Sequence, residues 1–316
     1  DTRFFLKFGL HYDEIFKTGL LLNATAKRLL FRNSIISLDM VIGDKPRYYF
    51  NYFIDNGYIP GFGIYASGMT LDLKNKNSET FEEWDWFRNE AFIQSTWKDR
   101  YAIGGGISID FFKSRIVSNN NKASDSFINP YVFIKSDTQD DKDFPTRGIY
   151  LNAEGKYLDL FNEKEEKSAL QAKADLRISL PVSSWYSNRL RLFAGFSTSD
   201  SFSSFYNYRL GGIFEQNLGN FVRFSGYGLG QENNRNIIEA TNFFQFKIKK
   251  NLFLIPQISL ATMFENVEEE NFLKIKYSSI GTTIGYKSPF GQIKMNYTKA
   301  LNKNKGIFSV ILGHWF

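Results

Sequence analysis

The stretch Leu170-Gln171-Ala172-Lys173-Ala174-Asp175-Leu176-Arg177-Ile178-Ser179-Leu180 decides the fold. Its even positions are apolar and its odd positions polar or charged, a period of two that an extended strand sorts onto opposite faces and a helix cannot. The dyad recurs at Arg189 to Ser197, where Leu190, Leu192, Ala194 and Phe196 oppose Arg189, Arg191 and Gly195. It recurs again at Gly148 to Tyr157, where Ile149, Leu151, Ala153 and Tyr157 oppose Asn152, Glu154 and Lys156. A soluble sandwich can carry the same pattern with its apolar face turned to a dry core. Length separates the two, because segment after segment reaches the about 9 to 11 residues that a tilted strand needs to cross a bilayer.

Composition agrees. Aromatic residues make up 17% of the 316, with 33 Phe and 17 Tyr, more than a soluble interior of this size requires. Yet the mean hydropathy of -0.32 and 23% charged residues exclude a bundle of apolar spanning helices. A barrel with a lipid-facing wall and a wet lumen reconciles the two, since alternate residues face hydrocarbon and water.

Working outward from the deciding stretch, strands are expected near Arg3 to Tyr12, Gly19 to Lys27, Ser34 to Ile42, Arg47 to Ile54 and Gly61 to Leu71. They continue near Glu83 to Trp97, Tyr101 to Phe112, Phe127 to Ser136, Gly148 to Tyr157, Ala169 to Leu180 and Arg189 to Thr198. The last are near Asn236 to Ile248, Phe253 to Phe264, Leu273 to Tyr286, Gln292 to Thr298 and Ile307 to Phe316. The fold class is therefore all-β, a closed antiparallel transmembrane β-barrel of about sixteen strands filling residues 1–316 as one domain. Connection lengths alternate. Lys98 to Arg100, Lys249 to Leu252 and Ser288 to Gly291 are short, whereas Asn75 to Glu82, Ser114 to Ser126 and Asp200 to Arg235 are long. Short turns belong on the periplasmic side, which with an even strand number puts both termini in the periplasm of a Gram-negative-type outer membrane.

Chemistry is scarce. There is no cysteine, and the two histidines, His11 and His314, lie at opposite ends of the chain, so a three-histidine zinc site is excluded. No phosphate loop, H-E-x-x-H or calcium loop occurs, and Gly195-Phe196-Ser197-Thr198-Ser199 lacks the second glycine of a G-x-S-x-G elbow. No catalytic residue, metal or cofactor is expected, and this chain does not read as an enzyme. The net charge of +6 forms no basic stripe interleaved with aromatics, so nucleic acid is not expected as a partner. Acidic clusters at Glu79 to Asp85 and Glu265 to Glu270 read as solvated loop charge.

Three segments carry a narrower likeness. Asp137 to Gly148, with Asp137, Phe144, Pro145, Thr146 and Gly148, resembles the D-(x)n-F-P-T-x-G element that opens a mid-barrel strand in the BamA/TamA superfamily. Tyr208-Arg209-Leu210-Gly211-Gly212-Ile213, continuing to Phe221-Val222-Arg223-Phe224-Ser225-Gly226-Tyr227, falls where that superfamily has its long sixth loop, whose V-R-G-F/Y tip folds back against the inner wall. Here Ser225 stands before Gly226-Tyr227 where the superfamily usually has Arg, so Arg223 is the cation expected to reach the wall, meeting Glu239. Ile280-Gly281 to Gly285, Ser288 to Gly291 and Leu312-Gly313-His314-Trp315-Phe316 are similar to the superfamily's last strands, and Trp315 and Phe316 resemble the terminal signal read by outer-membrane assembly machinery.

The pairing of L-G-G with F-S-G-Y, together with Gly43-Asp44-Lys45-Pro46-Arg47, looks more like the branch in which a patatin-type lipid hydrolase and a POTRA-like module precede the barrel. The resemblance implies a membrane anchor or conduit for such a module before residue 1, its lumen partly plugged by residues 200–235. The alternatives are a BamA-like insertase or translocase whose first and last strands part, and a passive pore. Implied partners are outer-membrane lipids and lipopolysaccharide, the assembly machinery during biogenesis, and periplasmic or outer-membrane proteins.

Overall fold

A computed structural model describes residues 3–13, 15–74, 81–116, 121–159, 168–198, 203–214, 218–266, 274–289 and 291–313. The first eight strands are β1 (Arg3–Asp13), β2 (Lys17–Lys27), β3 (Ser34–Gly43), β4 (Arg47–Ile54), β5 (Gly61–Lys74), β6 (Phe81–Trp97), β7 (Tyr101–Ile116) and β8 (Asn121–Asp137). Next come β9 (Gly148–Leu158), β10 (Ala169–Pro181) and β11 (Tyr186–Ser197). The long connection that follows holds three short strands, β12 (Tyr208–Leu210), β13 (Phe221–Val222) and β14 (Glu232–Asn234). The wall resumes with β15 (Asn236–Lys249), β16 (Leu252–Phe264), β17 (Tyr277–Ser288), β18 (Gly291–Ala300) and β19 (Ile307–Gly313).

The sixteen long strands close into an antiparallel barrel, each beside its chain neighbour, with β11 pairing directly to β15 across the long connection. Closure removes the free edges that an open sheet would leave unsatisfied in lipid. One strand anchors the orientation of all. On β10, Leu170 and Leu180 are both 57% exposed on the outside while Gln171 and Ser179 are buried inside. The connections 98–100, 182–185, 250–251 and 289–290 share one end, the turn rim; 75–80, 117–120, 159–168 and 198–235 share the other, the loop rim.

The expected loop at Ser114 to Ser126 is instead largely strand, since β7 and β8 pair as far as Ile116 with Asn121. The β5 to β8 hairpins stand above the apolar band. Their outward faces turn polar there, with the Arg115 guanidinium on Glu83 (3.1 Å from Nε) and the Thr70 hydroxyl on Asp85 at 2.8 Å. Polarity on both faces hides such a strand from an apolar alternation test. Glu83 and Asp85, read as loop charge, are thus strand residues; Glu79 lies outside the described residues. The other correction is at β17, which begins at Tyr277, with Lys274 to Lys276 outside the ladder.

The lumen is less wet than the dyad suggests. Trp84, Trp86 and Phe112 point inward and pack with Phe205, Tyr206 and Phe221 of the long connection into one buried cluster. A second cluster joins Tyr208, Leu210, Val222, Phe224 and Tyr227 to Phe193, Ile237 and Met263 of the wall. Part of the aromatic excess therefore fills the barrel instead of coating it.

Candidate functional site: the lumenal loop and the facing turn

Two glycines at positive φ, Gly211 and Gly212 at 122° and 88°, turn the long connection after β12 where a side chain would be strained. The three short strands form their own sheet inside the barrel mouth, β12 parallel to β13 and antiparallel to β14. This sheet orders the loop before any wall contact is counted.

The first limb is fastened by Tyr206. Its hydroxyl donates to Asp110 Oδ2 at 2.8 Å and accepts from Asn129 Nδ2 at 2.7 Å. Asp110, fully buried on β7, also receives Arg88 through Nε at 2.5 Å and Nη2 at 3.1 Å, so its charge is compensated. Beside it the Phe205 ring stacks on Phe112 at 4.9 Å and 9°. Gln171 Nε2 and Asn220 Nδ2 both donate to the Tyr206 carbonyl, at 2.9 and 2.7 Å. None of Arg88, Asp110, Asn129 and Tyr206 was singled out from the sequence. The available signal was an inward charge on one strand opposite inward partners on its neighbours, which needs the register to be read.

The tip meets the opposite wall. The Ser225 hydroxyl lies 2.7 Å from that of Ser279 and 3.4 Å from that of Ser259. The Gly226 N–H donates to Thr298 Oγ1 at 3.1 Å, and the Tyr227 hydroxyl donates to Asn302 Oδ1 at 2.8 Å. Gly226 holds φ 77°, and a Cβ there would lie 2.4 Å from the Ala300 nitrogen, so only glycine lets the tip approach the wall this closely. Lys303 Nζ sits 4.0 Å from the centre of the Tyr227 ring.

Glu239 is drawn toward Arg223 electrostatically and is also bonded from the wall. Arg191 of β11 donates from Nη1 to Glu239 at 3.2 Å and to the Arg223 carbonyl at 3.1 Å, while its Nε reaches Asp175 at 3.1 Å. Arg223 Nη1 donates to the Phe214 carbonyl at 3.3 Å. The wall thus adds a second cation, Arg191, which ties the loop backbone to two inward carboxylates. The sequence shows Arg191 only as the polar half of a dyad.

The facing turn closes over the other rim. Asp140 accepts from the Thr146 N–H at 2.8 Å, the Thr146 hydroxyl at 2.5 Å and the Arg147 N–H at 3.1 Å. Asp137 accepts from the Gln139 N–H at 3.0 Å, and Gly148 starts β9 at φ 110°. These bonds present Phe144, which stacks on Phe253 at 4.6 Å and 9° and joins Phe243 and Ile255. Gln245 Nε2 donates to the Phe144 and Pro145 carbonyls at 3.4 and 3.3 Å. A Cβ on Gly285 would lie 2.4 Å from the Phe144 ring, so the far wall is hollowed to receive it. Trp315 and Phe316 lie outside the described residues. Among the described residues no group of carboxylates and imidazoles could hold a metal ion.

Between loop and turn lies a cavity of about 290 Å³ lined by Arg88, Glu90, Glu154 and Lys173, with Tyr65 and Tyr131. Lys173 Nζ approaches Glu154 at 3.4 Å, and the Tyr131 hydroxyl donates to Glu90 at 3.0 Å. Its charges are paired across the strands and offer no single-sign field.

Comparison with known proteins places this arrangement. No curated protein matches the sequence. BamA from Haemophilus ducreyi lacking POTRA domains 1–3 superimposes with a TM-score of 0.76 at 14% identity, over 100% of this chain and 71% of that one. CdiB from Acinetobacter baumannii gives 0.64 at 11% identity, over 97% of this chain and 60% of that one. CdiB from Escherichia coli gives 0.63 at 8% identity, over 98% and 67%. The family model described as the OMP85 superfamily matches residues 1–316, and an outer-membrane location follows from that barrel. By that match, and with a closed sixteen-stranded wall to carry it, this chain belongs to the OMP85 superfamily.

Proposed function

We propose that this barrel handles polypeptide at its β1/β19 seam while the loop over residues 203–235 plugs the lumen. The observation that carries the reading is the seam itself. Among the described residues β1 and β19 share one register position, Tyr12 with Leu312. The next shortest ladders of the wall run over seven positions, as between β18 and β19, Gln292 with Gly313 to Thr298 with Ile307. A seam with few described ladder positions would have few hydrogen bonds to exchange there, and a client strand could add to the β1 edge by β-augmentation. Along that strand Phe4, Leu6, Phe8 and Leu10 already face outward, exposed to lipid.

Termini at the periplasmic rim, as the short turns imply, would fit this reading, because the client would then reach the seam from the side on which it is delivered. The sequence contains no cysteine, so a disulfide can be written into it cleanly. Tyr12→Cys with Leu312→Cys, a directly opposed pair, is spaced for a disulfide. In the full-length protein, oxidation should abolish assembly of a barrel client into vesicles, and reduction should restore it. Equal assembly with the seam locked and unlocked would reject the seam as the working part.

A second reading has its own support in Ser225. A tip held by neutral hydroxyls in place of the superfamily's Arg fits a barrel that stays plugged, as an anchor or conduit for a module preceding residue 1. The L-G-G and F-S-G-Y resemblance makes that module a patatin-like lipid hydrolase. Under this reading the locked seam leaves the activity and surface display of the attached module unchanged.

A further inference from the structure

The cavity of about 290 Å³ between loop and turn is shaped by aromatic rings that lie down against the wall. Phe92 of β6 stands opposite Gly63 of β5 in register, and a Cβ on that glycine would overlap the Phe92 ring. Phe133 of β8 leans over Gly104 of β7 in the same way, where a Cβ would lie 2.6 Å from its ring. The two glycines leave floor for rings that would otherwise stand across the lumen, and the cavity is the space this clears. Phe92 remains partly exposed to it, and Tyr49 and Tyr65 line the same space.

The charges in this wall are already matched. Arg88 lies on Asp110 at 2.5 Å, Lys173 on Glu154 at 3.4 Å, the Tyr131 hydroxyl on Glu90 at 3.0 Å, and Lys135 over the Phe133 ring at 4.4 Å. An ionic guest would have to break one of these pairs and leave a partner buried alone, which is costly. Two lining amides differ. The side chains of Asn51 on β4 and Asn152 on β9 have no hydrogen-bond partner among the described residues, and both are partly exposed. A guest that is apolar throughout would strip water from these amides and give nothing back.

The guest that fits is therefore uncharged, apolar on its faces and hydrogen-bonding at its rim. A planar base has those properties too, but it needs a slot between parallel rings. Phe133 meets Phe92 at 74°, and the near-parallel Phe53 ring is only 5.9 Å from Phe92, so no such slot opens. A sugar ring needs one aromatic face for its C–H bonds and points its hydroxyls outward on several sides. We propose that this cavity binds a neutral mono- or disaccharide, stacked on Phe92 and held through its hydroxyls by Asn51 and Asn152. The site serves either function proposed above, since it uses neither the β1/β19 seam nor the direction in which the barrel faces.

Isothermal titration calorimetry on the full-length protein, in a detergent without a sugar headgroup, tests the site with glucose, N-acetylglucosamine, maltose and sucrose. At least one should bind saturably at one site per barrel, and glucuronate, glucosamine and adenosine should bind more weakly than it does. Asn51→Ala and Asn152→Ala each remove a hydrogen-bonding group that faces the cavity, and each should weaken binding roughly three- to tenfold. Phe92→Leu still fills the space over Gly63 but has no flat face, and should weaken binding by a similar factor. Heat-modifiable migration on a gel checks that each variant folds. Absence of saturable binding by all four sugars would overturn the proposal, as would binding that none of the three variants weakens. Tighter binding of glucuronate or glucosamine than of the neutral sugars would overturn the assignment of an uncharged ligand, and tighter binding of adenosine that of a saccharide.

Discussion

Ser225 carries more meaning than its size suggests. Its hydroxyl is 3% exposed and surrounded by those of Ser259 and Ser279, so the wall that receives it is neutral at that point. Ser225→Ala removes a hydrogen bond and should destabilise by about 1 kcal/mol. Ser225→Arg restores the superfamily's residue but leaves a buried charge without a carboxylate beside it, and should destabilise by about 3 to 5 kcal/mol. Urea unfolding of the refolded barrel in vesicles measures both, and the reverse order would mean that an acidic partner lies within reach. Asp140 makes the complementary case at the turn. Burial works to raise its carboxyl, but the hydrogen bonds from the Thr146 hydroxyl, the Thr146 N–H and the Arg147 N–H outweigh that and hold it below its ordinary value. A carboxyl held low in the folded state contributes stability that is present above its unfolded value and is lost as pH falls through its folded value. The stability gap between wild type and Asp140→Asn should accordingly be constant near neutrality and shrink once the pH drops below the ordinary carboxylate range. A gap that instead widens in acid would contradict the bonding at this turn.

At the scale of elements, the loop is held by two unlike fastenings, an aromatic and charged one at Tyr206 and a hydroxyl and backbone one at Ser225 and Gly226. Tyr206→Phe keeps the ring against Phe112 and Phe127 and removes only the hydroxyl between Asp110 and Asn129. Loss of a hydrogen bond to a charged partner is worth about 1.5 to 3 kcal/mol, so protease cleavage within the first limb should accelerate while the strands remain protected. An unchanged cleavage rate would mean that the ring packing alone secures the limb. This asymmetry bears on what a sequence can reveal. The strands were legible because lipid and lumen impose a period of two on each of them separately. The D-to-G turn and the loop tip were legible as likenesses, and their glycines Gly148 and Gly226 do occupy positive φ. The Asp110 network was not legible, since its members come from β6, β7, β8 and the loop, 77 to 96 residues apart where Tyr206 is concerned. Arg191 escaped for the same reason: its partners Asp175 and Glu239 lie on two neighbouring strands, and only the register brings them to one level. The tops of β7 and β8 were lost for the opposite reason, because above the bilayer neither face is obliged to be apolar.

For the whole molecule, the question is whether a closed ring of sixteen strands contains an open path. The loop enters from one rim with Tyr208, Leu210, Phe224 and Tyr227 buried, and the turn enters from the other with Phe144 buried against Phe253. The cavity left between them is about 290 Å³, the size of a small enclosed ligand pocket and far from the aqueous channel of a large porin. Under the proposed plug, ions crossing the barrel would have to displace the aromatics packed by the loop and by the turn. In planar bilayers the intact barrel should therefore stay closed, with at most brief openings, and deletion of Phe205 to Gly230 should produce a large steady conductance. The deletion leaves the β11 to β15 pairing available, since those strands are already neighbours in the wall. Phe144→Ala, combined with the deletion, should raise the conductance further, because it clears the second obstruction in series with the first. A large steady conductance in the intact barrel, unaltered by the deletion, would mean that the loop does not obstruct the lumen in the membrane, and would leave the passive pore as the surviving alternative.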